Sequence, residues 1–207
     1  MTDKAKVIEI IKKIDEVIEE NAAFLTELDA AIGDNDHGVN LARGFKKVTE
    51  KLPELADKDI GTILKQAGMA LVSAVGGSSG PLYGTAFMKA GAAVAGKEEV
   101  DLNDYLSMIE AGIGGIQLRG RAIQGEKTML DALFPAFDRM REEARLGAST
   151  KEVLDAGVAA AKEGVEYTKT IIATKGRASY LGERSIGHQD PGATSVTLLL
   201  EAVASAF

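Results

Sequence analysis

The residues best suited to chemistry in this chain are three aspartates, Asp29, Asp34 and Asp36, which lie in one short segment with D-x4-D-x-D spacing. At neutral pH these carboxylates repel one another, and burial would raise that cost. A hard cation such as Mg²⁺ or Ca²⁺ supplies the compensating charge, because such ions prefer carboxylate oxygens. The spacing therefore predicts a metal site. The alternative is a solvated acidic turn, since Gly-Asp-Asn-Asp suits a turn, but an ordinary turn does not need Asp29.

Composition narrows what else the chain can be. Its 207 residues suit one domain with a sizeable core, spanning residues 1–207. The absence of cysteine excludes disulfides and thiolate metal sites, and two histidines are too few for a typical zinc site. The net charge of −7 argues against a nucleic-acid partner.

The N-terminal segment is charged and amphipathic, without the apolar core of a signal peptide. No window approaches the roughly 20 apolar residues that span a bilayer. We therefore expect a cytoplasmic protein that makes no membrane contact.

Apolar residues recur at helical spacing along most of the chain, and no convincing period-2 run suggests a strand. The pattern predicts an all-α, single-domain protein of about eight amphipathic helices, with sequential helices as antiparallel neighbours. The first helix carries Asp29 near its C-terminal end, and the next resumes over 40–52. Further helices are predicted over approximately 59–75, 80–95, 101–120, 128–146 and 149–173, and after Pro191. The segment from Ser149 to Glu152 has the form of a capping box and predicts the start of the helix over 149–173.

Two connections differ from ordinary loops. Residues 76–81, Gly-Gly-Ser-Ser-Gly-Pro, open a helix whose N-terminal N–H groups favour an anion. Residues 174–190 form a predicted structureless loop with Lys175, Arg177 and Arg184, which we interpret as an anion-facing flap rather than a floppy excursion. The glycines and alanines of the fourth and fifth predicted helices indicate close helix packing, with room for a flat ligand as the alternative.

Three familiar nucleotide and metal motifs are excluded. Glu126 separates Gly125 from Lys127, and no strand precedes them, so this segment is not a P-loop. An EF-hand beginning at Asp34 would need glycine and glutamate where Val39 and Phe45 stand. Gly112-Ile-Gly114 follows no strand and is not a dinucleotide fingerprint. Phosphate binding by this chain would need a less common architecture.

Four segments together resemble the nucleotide-binding L domain of the dihydroxyacetone kinases. They follow the family order and cover essentially the whole chain: Gly33–Asn40 with Arg43-Gly44, Gly76–Gly84, Gly125–Asp131, and Arg177–Ser185 with Asp190–Ala193. The resemblance implies a closed barrel of eight antiparallel helices that binds adenine nucleotide at one end through two Mg²⁺ ions.

The resemblance also implies roles for individual residues. Asp29, Asp34 and Asp36 would act in catalysis by holding the two Mg²⁺ ions against nucleotide phosphates. The implied nucleotide contacts are His37, Gly38, Val39 and Asn40, the phosphate-binding Ser78 and Ser79, the adenine-lining Gly120 and Met129, and Arg177, Asp190, Pro191 and Gly192 from the long loop. His37 is interpreted as a hydrogen-bond partner or nucleotide contact rather than a phosphocarrier.

Because the chain carries no ketose-binding domain, it resembles the free-standing L subunit of the phosphotransferase-system type. There, ADP/ATP is a tightly bound cofactor, an M subunit rephosphorylates it, and a K subunit holds dihydroxyacetone. Within this resemblance a transcription regulator is a further partner. The alternatives are a subunit of an ATP-dependent kinase for another acceptor, a nucleotide-dependent regulatory module, and a dinuclear metal phosphatase.

Overall fold

Nine α-helices make up most of the protein in the computed structural model, which describes residues 1–207. The helices are α1 (Lys4–Glu20), α2 (Ala22–Ile32), α3 (His37–Leu55), α4 (Ile60–Ala74), α5 (Ser79–Ala93), α6 (Leu102–Gly120), α7 (Leu130–Arg145), α8 (Thr150–Thr168) and α9 (Pro191–Ala204). Two short strands, β1 (Thr2–Asp3) and β2 (Glu99–Val100), pair antiparallel. The prediction of an all-α protein is confirmed.

The helix count exceeds the predicted eight because the first predicted helix is interrupted at Asn21. The Asn21 side chain donates a hydrogen bond to Val17 O at 2.8 Å, the carbonyl that its own backbone N–H also reaches at 3.2 Å. Asparagine side chains that bond the local backbone in this way compete with continuous helix. The break leaves α2 as a separate short helix that ends beside the aspartates.

The prediction of a structureless loop over 174–190 is wrong. A 3₁₀ helix spans Arg177–Ser185, and Gly182 inside it has φ +55°. The Ser185 hydroxyl donates to Gly182 O and accepts from Ala173 N, so it links the 3₁₀ helix to the residue segment that precedes it. We keep the name flap for residues 174–190. The preceding helix ends at Thr168 rather than near Ala173.

Several helix ends are explained by capping. Asp101 and Ser149 form capping boxes at the starts of α6 and α8, as the sequence predicts for Ser149. The Asp59 carboxylate accepts from Thr62 N and caps α4.

No helix of the protein combines the length and apolar character required to cross a membrane.

The chain divides into two compact units. The first comprises Met1–Glu16 and Asn40–Arg121, where α5 packs against both α4 and α6. The second comprises Val17–Val39 and Ala122–Phe207, where α8 packs against α7 and α9 and α2 packs against α9 and the 3₁₀ helix.

In the first unit, the glycine-rich helices serve close packing. A Cβ added to Gly68 of α4 would lie 2.5 Å from Gly84 O of α5, and one added to Gly84 would lie 2.6 Å from Gly68 O. Only glycine permits this backbone approach, so this pair favours the packing explanation over a ligand slot.

Candidate functional site

The three aspartates converge in the second unit. Asp29 lies in the last turn of α2, and Asp34 and Asp36 lie in the connection to α3. One ligand atom from each carboxylate lies within 4.8 Å of the others. Asp29 is buried, Asp36 is partly buried and Asp34 is exposed, so the cluster opens to solvent on one side.

Backbone N–H groups at the start of α3 hold Asp29. Its Oδ2 accepts from Asp36 N at 2.9 Å and from His37 N at 3.2 Å. A helix N-terminus favours a carboxylate through its exposed N–H groups and dipole. These bonds fold the connection back over the end of α2 and bring Asp34 and Asp36 to Asp29.

Two glycines and an asparagine make this tight connection possible. A Cβ at Gly33 would lie 1.9 Å from Asp29 Oδ1, and one at Gly38 would lie 2.0 Å from Ala22 O of α2. Asn35 has φ +62°, a left-handed conformation that asparagine tolerates better than most residues. Asn35 holds no predicted ligand role, but its residue type is explained by this backbone turn.

His37 is a buried residue of the first turn of α3. Its Nε2 lies 2.8 Å from Ser195 Oγ of α9, and the Ser195 hydroxyl also approaches Gly192 O at 3.1 Å. Burial lowers the pKa of His37, although the charges of Asp29, Asp36 and Asp34 act in the opposite direction. This environment favours the neutral ring as a hydrogen-bonding group. Ser195 is a partner that sequence reasoning missed, because no motif or spacing links it to His37.

The flap brings Arg177 to the aspartates. Arg177 Nε lies 2.7 Å from Asp34 Oδ2. Ile32 at the end of α2 packs with Ala173, Ala178 and Leu181, so an apolar contact holds the 3₁₀ helix beside this ion pair.

The Asp190-Pro191-Gly192 turn begins α9. Asp190 caps the helix by accepting from Ala193 N at 2.7 Å, and Pro191 occupies the first turn. Burial raises the pKa of the Asp190 carboxyl to about 7. A Cβ at Gly192 would lie 3.6 Å from Met129 N, so the structure brings this turn to the predicted adenine-lining Met129.

Four of the remaining predicted contacts lie in the first unit, namely Asn40, Ser78, Ser79 and Gly120. Asn40 Oδ1 accepts from Arg43 Nη2 at 2.7 Å, and a Cβ at Gly76 would lie 3.2 Å from Asn40 Nδ2. Ser78 and Ser79 follow two and three residues after Gly76, at the start of α5, so Asn40 lies close to the segment that leads into this helix. A Cβ at Gly120, the last residue of α6, would lie 3.1 Å from Leu82 Cδ2 of α5. Val39 belongs to the second unit and is 52% exposed.

The donor set of the aspartate cluster fits Mg²⁺. It consists of carboxylate oxygens alone, which is the ligand type that hard divalent cations prefer. The Oδ2 atom of Asp29 accepts the two backbone N–H groups, whereas its Oδ1 atom lies beside Gly33.

Comparison with known proteins identifies the family of this chain. Residues 31–205 match the DAK2 domain. The chain belongs to the DAK2-domain family. The ADP-binding subunit DhaL of the PEP-dependent dihydroxyacetone kinase of Escherichia coli K12 is 44% identical over 203 residues, 98% of this chain and 97% of that subunit. The ADP-binding subunit DhaL of PEP-dependent dihydroxyacetone kinase 1 of Listeria innocua is 44% identical over 201 residues, 97% of this chain and 96% of that protein.

A solved structure places the fold of this DAK2-family chain among the dihydroxyacetone kinases. The native C. freundii enzyme matches with a TM-score of 0.78 and 26% identity, and the match covers 100% of this chain and 35% of that one. The same enzyme in complex with AMP-PNP and Mg²⁺ matches with a TM-score of 0.75 and 25% identity over 100% of this chain and 34% of that one.

Proposed function

We propose that this chain is the ADP-binding subunit of a PEP-dependent dihydroxyacetone kinase and that it acts as a phosphotransferase only with partner subunits. The observation that carries the proposal is the cluster of Asp29, Asp34 and Asp36, whose ligand atoms lie within 4.8 Å beside the N-terminus of α3. Relatives that match this chain over nearly their whole length carry that name.

The aspartates would hold two Mg²⁺ ions. Bound there, the metal would neutralise charge on phosphate oxygens and fix their orientation, which is most of what phosphoryl transfer requires. Asp29 is preorganised for this role because two backbone N–H groups fix its carboxylate before any ligand arrives. Asp34 and Asp36 supply the more accessible oxygens.

The nucleotide contacts proposed here are the residues that the family resemblance implies. We assign phosphate contacts to the segment 37–40, to Ser78 and Ser79, and to Arg177. We assign the adenine slot to Gly120 and Met129, and contacts that close the site to the turn 190–192. Two relationships support these assignments, namely the ion pair of Arg177 with Asp34 and the approach of Gly192 to Met129.

In this proposal the nucleotide stays bound and cycles between ADP and ATP. An M subunit would supply the phosphoryl group, and a K subunit would present dihydroxyacetone as the acceptor. A transcription regulator would be a further partner, and the location would be cytoplasmic, which cell fractionation would test. The relatives' names support partner subunits, since each is called a subunit of a larger kinase.

Turnover with and without partners tests the proposal. Purified chain given Mg-ATP and dihydroxyacetone alone is expected to form no product and to release no inorganic phosphate. Adding the K subunit should allow a single turnover, and adding the M subunit with its phosphoryl donors should restore continuous turnover. Continuous turnover with bulk ATP and no M subunit would contradict the relay. Acceptor-independent phosphate release would instead favour a dinuclear metal phosphatase.

A further inference from the structure

Glu126 and Lys127 have no role in the nucleotide contacts assigned above, yet the structure gives both of them several partners. Lys127 is 1% exposed and has φ +60°. A lysine in the left-handed region is uncommon and persists only where its surroundings hold it. The nucleotide contacts therefore do not explain why the structure holds these two residues in place.

Lys127 fixes the end of α8. Its Nζ donates to Thr168 O at 2.5 Å and to Ile171 O at 3.3 Å. The last carbonyls of a helix carry partial negative charge, so a buried ammonium is favoured at this position. Burial nevertheless lowers the pKa of Lys127, against the charges of Asp190 and Asp131.

The end of α8 in turn holds the segment where the chain leaves the flap. Thr168 Oγ1 accepts from Asp190 N at 3.0 Å, and Lys169 O accepts from Gly187 N at 2.8 Å. Thr168 therefore connects Lys127 to Asp190, at the point where the chain leaves the flap.

Glu126 holds the segment where the chain enters the flap. Its backbone O accepts from Thr174 N at 3.3 Å, and its Oε1 accepts from Thr174 Oγ1 at 3.1 Å. The same Oε1 lies 3.9 Å from Lys175 Nζ, while Oε2 accepts from Ile123 N at 2.8 Å.

The fully buried Asp131 braces both residues. Its Oδ1 accepts from Gly125 N at 2.5 Å and its Oδ2 from Thr128 N at 2.8 Å, so the backbone is held on either side of Glu126 and Lys127. One braced pair of residues thus reaches both ends of the flap that carries Arg177.

We propose that Glu126 and Lys127 are positioning residues for Arg177. By fixing both ends of the flap they keep the guanidinium beside Asp34, and they thereby slow the release of a bound nucleotide. The second half of this inference rests on the proposed nucleotide-binding function.

The first test needs no nucleotide. Trypsin cleaves after Lys175, Arg177 and Arg184 only when the flap opens, so the initial cleavage rate within the flap reports its mobility. Glu126→Ala is expected to raise that rate at unchanged global stability. Glu163→Ala is the matched control, because Glu163 is an exposed residue of α8. Equal rates for wild type and Glu126→Ala would overturn the inference.

The second test measures release of a fluorescent ADP analogue in Mg²⁺ by stopped-flow chase. Glu126→Ala should raise the dissociation rate about tenfold, the effect of losing one hydrogen bond to a charged group. Thr168→Val removes the acceptor for Asp190 N and should act in the same direction. Lys127→Met, in protein that folds, should raise the dissociation rate more than either of these variants.

The double mutant separates positioning from a general loss of structure. If Glu126 acts through Arg177, then Glu126→Ala added to Arg177→Ala should change the dissociation rate no further. Independent, multiplicative effects would overturn the inference. A wild-type protein that binds no nucleotide would contradict the proposed function instead, and the cleavage assay would still decide the mobility of the flap.

Discussion

Arg177 Nε and Asp34 Oδ2 lie 2.7 Å apart, which joins the flap to the aspartate cluster at its most exposed member. The Arg177 side chain is 64% exposed, so solvent screens this pair. Exposed ion pairs contribute about 1 kcal/mol or less to stability. The pair therefore matters for where the flap lies rather than for how stable the fold is.

Arg177→Ala is expected to weaken nucleotide retention while barely changing the unfolding of the nucleotide-free protein. The guanidinium would contact phosphate, whereas its loss removes only a screened ion pair from the fold. Thermal unfolding with and without Mg-ADP measures both effects. Identical melting temperatures for wild type and variant in saturating and in limiting Mg-ADP would count against this role of Arg177.

Gly33→Ala is expected to reduce Mg²⁺-dependent ADP affinity at least about tenfold, or 1.4 kcal/mol, because the new methyl group would displace the Asp29 carboxylate. Isothermal titration calorimetry measures the affinity. Gly114→Ala is the control, since a Cβ there meets nothing within 4 Å. This control should keep wild-type affinity and gain up to about 1 kcal/mol of helix stability. Wild-type affinity in Gly33→Ala would show that the position of Asp29 is unimportant.

Asp36→Ala is expected to abolish Mg²⁺-dependent nucleotide binding without unfolding the protein. The backbone N–H at position 36, which Asp29 Oδ2 accepts, remains in this variant. Removing one of three neighbouring carboxylates also relieves repulsion, so stability without metal should be unchanged or slightly higher. Denaturant unfolding and calorimetry on the same preparation check both statements. A marked loss of stability would indicate a structural role.

Asp190 should make stability depend on pH. Its folded-state pKa is raised to about 7, so between about pH 4 and 7 the folded protein keeps a proton that the unfolded chain has lost. The contribution of Asp190 to the free energy of unfolding therefore falls as pH rises through this window.

Asp190→Asn removes the titration and keeps a good N-cap residue. The stability of this variant relative to wild type should rise by up to about 1.4 kcal/mol per pH unit across the same window. Urea unfolding at several pH values measures the difference. A difference between variant and wild type that does not vary with pH would contradict the raised pKa.

The sequence predicts local features of this protein well and long-range ones poorly. The spacing of the aspartates predicted their cluster, apolar periodicity predicted the helices, and the Ser149-to-Glu152 pattern predicted the cap of α8. These features depend on neighbours in the chain. The break at Asn21 was missed because a single side-chain hydrogen bond outweighs an unbroken apolar pattern there. The 3₁₀ helix was missed because short polar segments carry no strong period.

The contacts that complete the candidate site join residues far apart in the sequence. Ser195 beside His37, and Thr174 beside Glu126, have no signal in one sequence, since hydrogen-bond partners across a fold leave no spacing pattern. From the sequence, the segment around Lys127 is excluded as a P-loop and carries part of the family resemblance, and neither observation predicts a buried lysine. Its buried lysine and braced backbone became interpretable once α8 and the flap were placed around it.

The most direct test of the account is the identity of any nucleotide that leaves the purified protein on denaturation. Chromatography of the released material is expected to show ADP in near-stoichiometric amount from wild type and none from Asp36→Ala purified in parallel. Wild-type protein that carries no nucleotide and shows no Mg²⁺-dependent ADP binding by calorimetry would contradict the central claim.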